Sequence, residues 1–482
     1  ITHQQKKLNE EELRAFRDRF HIPLSDDAIA ELPFYVPDRK SPEMVYLRER
    51  REALGGSVPQ RAHRAAPLAS VPAEPFAELY AGSGDREMSL TMAFARLLSR
   101  LLRDEDVGKL VVPIVPDEAR TFGMEALFRQ VGIYAHAGQH YEPVDHATLL
   151  YYREAEDGQI LEEGITEAGS MASFIAAGTA YATRGINTIP FFIFYSMFGF
   201  QRVGDLIWAA ADSRCRGFLI GGTAGRTTLA GEGLQHQDGQ SHLLAYPVPN
   251  ILSYDPAFAY ELAVIIEDGI RRMYVEGESV FYYLTVENES YAMPSMPEGA
   301  RDGILKGLYK LSASSQPRAH QAQLLGSGAI LREALAAQRL LERYDVAADV
   351  WSVTSWAQLY RDGHACDRWN MLHPLEPARV PYVAQCLGAA PGAVVAASDY
   401  LKALPDSLSQ WLETPLVSLG TDGFGRSDTR ESLREFFEVD ARFITVATLA
   451  ALARQGTIEP AVVAQAISDL GIDAEKVDPA VS

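Results

Sequence analysis

Short, almost wholly apolar runs alternate along this chain with segments of helical period. KLVVPIVP (109–116), TIPFFIF (188–194), GFLIGGT (217–223) and VFYYLTV (280–286) read as strands. A run that is apolar at every position suits a parallel strand covered on both faces. Between them, EAGSMASFIAAGTAYA (167–182) and FGFQRVGDLIWAAADSR (198–214) read as helices. The alternation predicts βαβ units and a mainly parallel sheet. It breaks at YAMPSMPEGA (291–300) and resumes with QAQLLGSGAI (321–330), ADVWSVTSW (348–356), GAVVAASDYL (392–401) and PLVSLGTD (415–422). That is a second α/β domain of roughly 180 residues. Ahead of both lies a polar, helical extension, with EEELRAFRDRF at 10–20. The Pro-, Ala- and Ser-rich stretch 56–75 then reads as a linker.

In parallel sheets, ligands bind beyond the carboxyl ends of the strands. Three clusters are expected there: Asp117-Glu118, Tyr195-Ser196 and GEGLQHQDGQSH (231–242). Each has an ordinary reading beside the functional one. Asp117 suits a helix cap as well as a cleft wall. Glu167 is either an acid favoured by the helix dipole or a partly buried proton donor facing a ligand nitrogen. The aromatics of YSMFGFQR (195–202) are core, or Phe198 and its neighbours offer a platform for a flat ring. Glu232, His236, Asp238 and His242 lack the HExxH spacing of a zinc helix, so a glycine-shaped loop aiming His236 at an anion is favoured over a metal site. SLGTDGFGRSDTRESLREFF (418–437) resembles an anion-binding turn without the P-loop lysine, and Asp428 with Glu431 fits a helix cap.

Composition narrows the setting. The 482 residues carry a net charge of -20, which argues against a general nucleic-acid surface and suits a cytoplasmic enzyme. Cys215, Cys366 and Cys386 form no CxxC pair and read as reduced structural thiols. The most apolar run, 188–200, is shorter than the roughly 20 residues of a membrane span. The amino end is charged and lacks an initiator Met, so the chain is expected to be part of a longer polypeptide.

Five long motifs, in order along nearly the whole chain, resemble one family: PDEARTFGMEALFRQVGIY (116–134), GQILEEGITEAG (158–169), PFFIFYSMFGFQRVGDLIWAA (190–210), the stretch 217–242, and LGTDGFGRSDTRESLREFFEVD (419–440). The chain is similar to the homodimeric, bacterial-type pyruvate dehydrogenase, the thiamine-diphosphate-dependent first component of the pyruvate dehydrogenase complex. The resemblance implies two transketolase-like α/β domains with mainly parallel sheets flanked by helices. These are an aminopyrimidine-binding domain at 68–296 and a C-terminal domain at 297–482, with residues 1–67 the tail of the family's N-terminal region. No GDG followed some 25–30 residues later by Asn is present. The ligands for Mg2+ and the diphosphate are therefore expected on the absent part of that region, leaving this chain inactive alone and with no metal ligands of its own.

The resemblance also assigns roles. Glu167 matches the glutamate that hydrogen-bonds the aminopyrimidine and promotes removal of the thiazolium C2 proton. Phe198 matches the stacking aromatic, with Tyr195 near the substrate. His236 would bind pyruvate's carboxylate or later intermediates, supported by Glu232, while Asp117 and Glu118 line the cleft, Asp117 as a cofactor-binding residue and Glu118 on the substrate side. His3 matches a mobile-loop histidine of the lipoyl transfer step, and 137–153 matches an outer lid. Gln240 stands where relatives usually have His. Expected partners are the diphosphate-binding region, a second copy of the subunit at a shared site, and the lipoyl domain of dihydrolipoyl acetyltransferase, with no nucleic acid or membrane. The rival readings are a related dehydrogenase for another 2-oxo acid and a non-catalytic assembly module.

Overall fold

Consecutive residues of a strand face opposite sides of its sheet, so an unbroken apolar run must have a core on each side. The computed structural model describes residues 8–56, 65–116, 119, 121–144 and 152–482, and it shows this arrangement. The strands are β1 (Val111–Val115), β2 (Leu161–Glu162), β3 (Ile189–Tyr195), β4 (Phe218–Gly222), β5 (Ile251–Tyr254) and β6 (Phe281–Thr285). They form one sheet in the order β2-β1-β3-β4-β6-β5, parallel throughout. Along β3, Phe191 and Ile193 join one core while Phe192 and Phe194 join the other. All four are at most 1% exposed. Each such burial stabilises the fold by about 1.5–3 kcal/mol relative to exposure.

Pro190 and Pro113 sit inside this sheet, where a proline removes a ladder donor. Pro190 pairs with β1 one residue before pairing with β4 begins at Phe191. Pro113 likewise pairs with β3 one residue before β2 joins at Ile114. Each proline thus has a strand partner on one side only, the edge-like setting in which a missing N–H is tolerated.

The second sheet contains β7 (Leu308–Ser312), β8 (His320–Gly326), β9 (Val346–Val353), β10 (Ala393–Ala397) and β11 (Leu416–Leu419). Its order is β7-β9-β8-β10-β11, with only the edge pair β7–β9 antiparallel. The edge strands β2 and β7, and the four-residue β5, lie outside the apolar runs that predict the other strands.

The chain divides into two compact units, Ile1–His63 and Arg64–Ser482. The first holds helices Glu10–Arg19, Asp26–Ala30 and Pro42–Ala53, the first capped reciprocally by Asn9 and Glu12. The linker expectation extends too far. Ala65 and Leu68 donate backbone N–H bonds to Tyr181 and Tyr274, and a helix starts at Glu74. Among the described residues, no helix is long and apolar enough to cross a membrane. Cys215 and Cys366 are buried, Cys386 is half-buried, and none forms a disulfide.

Within the larger unit, buried carboxylates tie the two sheets together. Glu261, from helix Ala259–Ile270, accepts from the Ala257 and Phe258 N–H groups and from the hydroxyls of Tyr309 and Ser352, which belong to β7 and β9. Four donors satisfy it in an otherwise apolar seam. Asp255, Glu287 and Asp399 are less balanced. Burial raises all three, Asp255 to about 7 and Asp399 to about 6. Gly328 is required where they meet, since a Cβ there would lie 2.6 Å from Glu287 Oε1 and 2.7 Å from Asp255 Oδ2.

An acid raised above its ordinary value of about 3.9 binds its proton more tightly in the folded chain. Its stabilisation is complete below pH ~4 and is lost as pH rises through the folded value. Stability should therefore fall between pH ~4 and ~7, with a contribution from Asp255 on the order of 2–4 kcal/mol. Urea unfolding at pH 5 and pH 8 measures it: the loss should be clearly smaller in Asp255→Asn than in the unsubstituted protein.

Candidate active site

Beyond the carboxyl ends of β3 and β4, the sequence places a tyrosine and a glycine-punctuated loop, and the fold brings them together. Tyr195, the last residue of β3, stacks on His236 at 4.6 Å and 14°. Phe198, in the short 3-10 turn Ser196–Phe198, meets Tyr195 at 5.7 Å and His236 at 5.4 Å, both edge to face. Phe122 closes the group at 5.5 Å from Tyr195. Phe198 and His236 are half-buried, so the cluster forms a wall rather than sealed core.

Glu167 approaches from a different element. Helix Glu167–Gly178 is capped by Thr166, whose hydroxyl accepts from Gly169, which leaves Glu167 in the first turn. Its side chain is only 9% exposed, and a buried carboxylate needs a partner. That partner is Arg202, whose Nη1 donates to both oxygens at 3.1 and 3.2 Å. The same guanidinium lies 3.7 Å from the centroid of Phe198. Arg202 therefore joins the acid to the aromatic wall. Its residue type alone does not mark it in the sequence, although it stands four residues after Phe198, in the first turn of the helix Phe200–Asp212.

Desolvation lowers the pKa of His236 from its ordinary 6.5, as does the Arg202 charge, while Glu232 opposes both. His236 is thus a neutral imidazole at neutral pH, and its buried Nδ1 has no hydrogen-bond partner among the described residues. It offers a neighbouring group a hydrogen bond rather than a fixed positive charge. Glu232 turns back on its own loop, accepting from Ala230 N–H. His242 is fully buried, is pushed down to about 3, and bonds Thr285 Oγ1 at 2.9 Å, which in turn donates to Asp255. It belongs to the seam. Gln240 Oε1 accepts from Gly239 N–H and from Arg226.

The C-terminal domain holds this loop in shape. Asp399 accepts from the N–H groups of Arg226 and Thr227. Arg226 donates to the carbonyls of Thr421 and Gly423, Gly231 donates to Asp428, and Arg430 donates to the Thr228 carbonyl at 2.6 Å. The anion-turn reading of 418–437 is therefore corrected. The turn presents carbonyl oxygens to a cation instead of N–H groups to an anion. The cap of the next helix is Thr429, which accepts from Ser432, rather than Asp428.

Asp117, Glu118 and His3 lie outside the described residues, as do 145–151 of the proposed lid. The lid's described ends are fastened at Glu154, which accepts from Tyr141 at 2.6 Å and Tyr152 at 2.9 Å. Among the described residues, no group of three His, Cys, Asp or Glu side chains is placed to hold a metal ion.

Two family models match the chain. Residues 68–294 match the pyruvate dehydrogenase E1 component middle domain, and residues 307–440 the transketolase-like C-terminal domain. The pyruvate dehydrogenase E1 component of Pseudomonas aeruginosa is 56% identical over 99% of this chain, and that of Escherichia coli 51% over 99%. The chain spans 54% of each, about half the length of these curated relatives. Among solved structures, transketolase from Campylobacter jejuni superimposes with a TM-score of 0.60 at 15% identity, covering 92% of this chain and 59% of that one, a likeness of fold. With a middle and a C-terminal domain matched in order and half its residues shared with such relatives, the chain belongs to the pyruvate dehydrogenase E1 component family.

Proposed function

We propose that this chain forms the aminopyrimidine-facing half of a thiamine-diphosphate site that decarboxylates pyruvate oxidatively and acetylates the lipoyl group of a dihydrolipoyl acetyltransferase. The observation that carries it is Glu167, a buried carboxylate accepting an N–H from a flat group that lies on Phe198. An aminopyrimidine offers the same two features, a donor in its plane and a π face. The His236 ring packs edge to face with Phe198, and its buried Nδ1 has no hydrogen-bond partner among the described residues. These residues fit that half of the cofactor. The diphosphate and its magnesium belong with groups outside the described residues, in the further length that the relatives possess.

Bound there, thiamine diphosphate supplies the nucleophilic carbon and the electron sink that decarboxylation of a 2-oxo acid requires. The chain's own residues do the rest. Glu167 would share a proton with a ring nitrogen, donating it from the protonated carboxyl and accepting it back from the ring N–H. Phe198 fixes the ring plane. His236, neutral and held flat against Tyr195, hydrogen-bonds the substrate's carboxylate or carbonyl oxygen. Glu232 tempers the depression of His236, and Asp117 and Glu118 line the cleft. The aromatic wall excludes water, which strengthens each polar contact. His3 serves the lipoyl transfer, a second copy of the subunit shares the site, and residues 68–296 and 297–482 act as the two domains.

The assembled enzyme, with the diphosphate-binding region present, tests this reading. Pyruvate should reduce an artificial electron acceptor faster than 2-oxobutyrate or 2-oxoglutarate; preference for a larger acid rejects the pyruvate assignment, and no turnover by an intact assembly favours a non-catalytic module. Glu167→Ala should lose pyruvate turnover by at least ~10²-fold, together with exchange of the cofactor's C2 proton. Normal exchange in that variant removes Glu167 from the relay. His236→Ala should lower kcat/KM for pyruvate by roughly 10–100-fold. Because its pKa is lowered, kcat/KM in the unsubstituted enzyme should fall from protonation of His236 only below pH 6.5. A limb above that value assigns His236 a different charge state.

A further inference from the structure

A flat cation already sits where a flat ligand would bind. Arg202 Nη1 donates to both oxygens of Glu167, and the plane it belongs to lies 3.7 Å from the Phe198 centroid. Guanidinium and aminopyrimidine share the features this pair of residues recognises: delocalised planarity, N–H donors in the plane and a face for stacking. The other ring neighbours of Phe198, Tyr195 and His236, are packed at steep angles to it, whereas Arg202 lies over its ring, the position a stacking ligand needs. The burial of the two ionic partners is unequal. The Glu167 side chain is 9% exposed and that of Arg202 is 49% exposed. The acid is fixed, whereas the cation reaches it from solvent and can leave without disturbing the core.

We propose that Arg202 is a guard on the aminopyrimidine subsite. It covers Glu167 and Phe198 together, and its guanidinium must swing outward before the cofactor ring can take both contacts. The inference rests on the thiamine-diphosphate reading above and adds a residue that sets how tightly and how fast the cofactor enters. Arg202 also stands close enough to His236 to help hold it neutral. Departure of the guanidinium therefore changes the charge beside the substrate wall at the moment the ring arrives. The local backbone suits such a move: Val203 has non-helical dihedrals (φ -127, ψ 23), so the helix is irregular next to Arg202.

Calorimetric titration of the assembled enzyme with thiamine diphosphate in the presence of magnesium tests the guard, using the unsubstituted protein, Arg202→Met and Arg202→Lys. Arg202→Met should tighten the dissociation constant by roughly tenfold and speed association, because the competing contacts are gone. The same substitution should lower the melting midpoint of the cofactor-free enzyme by a few degrees, since Glu167 loses its partner. Arg202→Lys keeps the charge but not the flat cover, and should fall between the two. Unchanged or weaker binding by Arg202→Met, with normal binding by the unsubstituted enzyme, overturns the guard and leaves the thiamine reading intact. Absence of binding by all three folded proteins overturns both.

Discussion

Asp399 reaches from the end of the C-terminal sheet and takes the N–H groups of Arg226 and Thr227, and the path of the chain after β4 follows from that contact. The carboxylate is fully buried, so its donors are obligatory. Gly225 is forced by the same approach, because a Cβ there would lie 2.1 Å from Asp399 Oδ2. Downstream, the carbonyls of Thr421 and Gly423 hold Arg226, and Asp428 and Arg430 hold the next turns. The loop reaches His236 already fixed at several points. Its glycines permit the course of the backbone, but the C-terminal domain determines it.

This arrangement lets one domain carry the aromatic wall while the other shapes it. The wall comes from the end of β3 and the turns that follow β3 and β4, yet His236 stacks on Tyr195 only if the loop returns at the right depth. Glu261, bound by Tyr309 and Ser352, ties the first domain to the second sheet at a second place. The seam sets buried carboxylates within an apolar interface. Each carboxylate is directional, and several of them together leave the loop little freedom to choose another register.

Much of the architecture is legible in the residues, for a physical reason. β3, β4 and β6 are buried on both faces, and double burial writes an unbroken apolar run. β5 is not legible, since Ile251–Tyr254 is four residues long, contains Ser253 and is framed by polar neighbours. β2 and β7 are edge strands, where one covered side imposes a weaker pattern. The wall was legible as aromatic content, but core and platform look alike until burial is known. The clamp on the loop was not legible at all. Asp399 lies more than 170 residues from Thr227 in sequence, and its role depends on where two sheets meet. The same blindness made 418–437 look like an anion turn, because glycine spacing does not say whether N–H or C=O groups line the bend.

Arg202 shows what a residue-type reading overlooks. Catalytic candidates are sought among acids, histidines and aromatics, and an arginine on a helix passes as a solvated charge. Yet Glu167 is buried in the first turn of its helix beside small residues, and no lysine or arginine in its own segment is placed to neutralise it. A buried acid without a local partner implies a distant cation, and the helix Phe200–Asp212, which follows the turn that carries Phe198, offers one in its first turn. Had that requirement been applied to the sequence, FGFQR would have read as a platform and its counter-ion together. The cost of burying a charge is thus a searchable constraint: it points across the fold from the group that must be satisfied to the group that satisfies it.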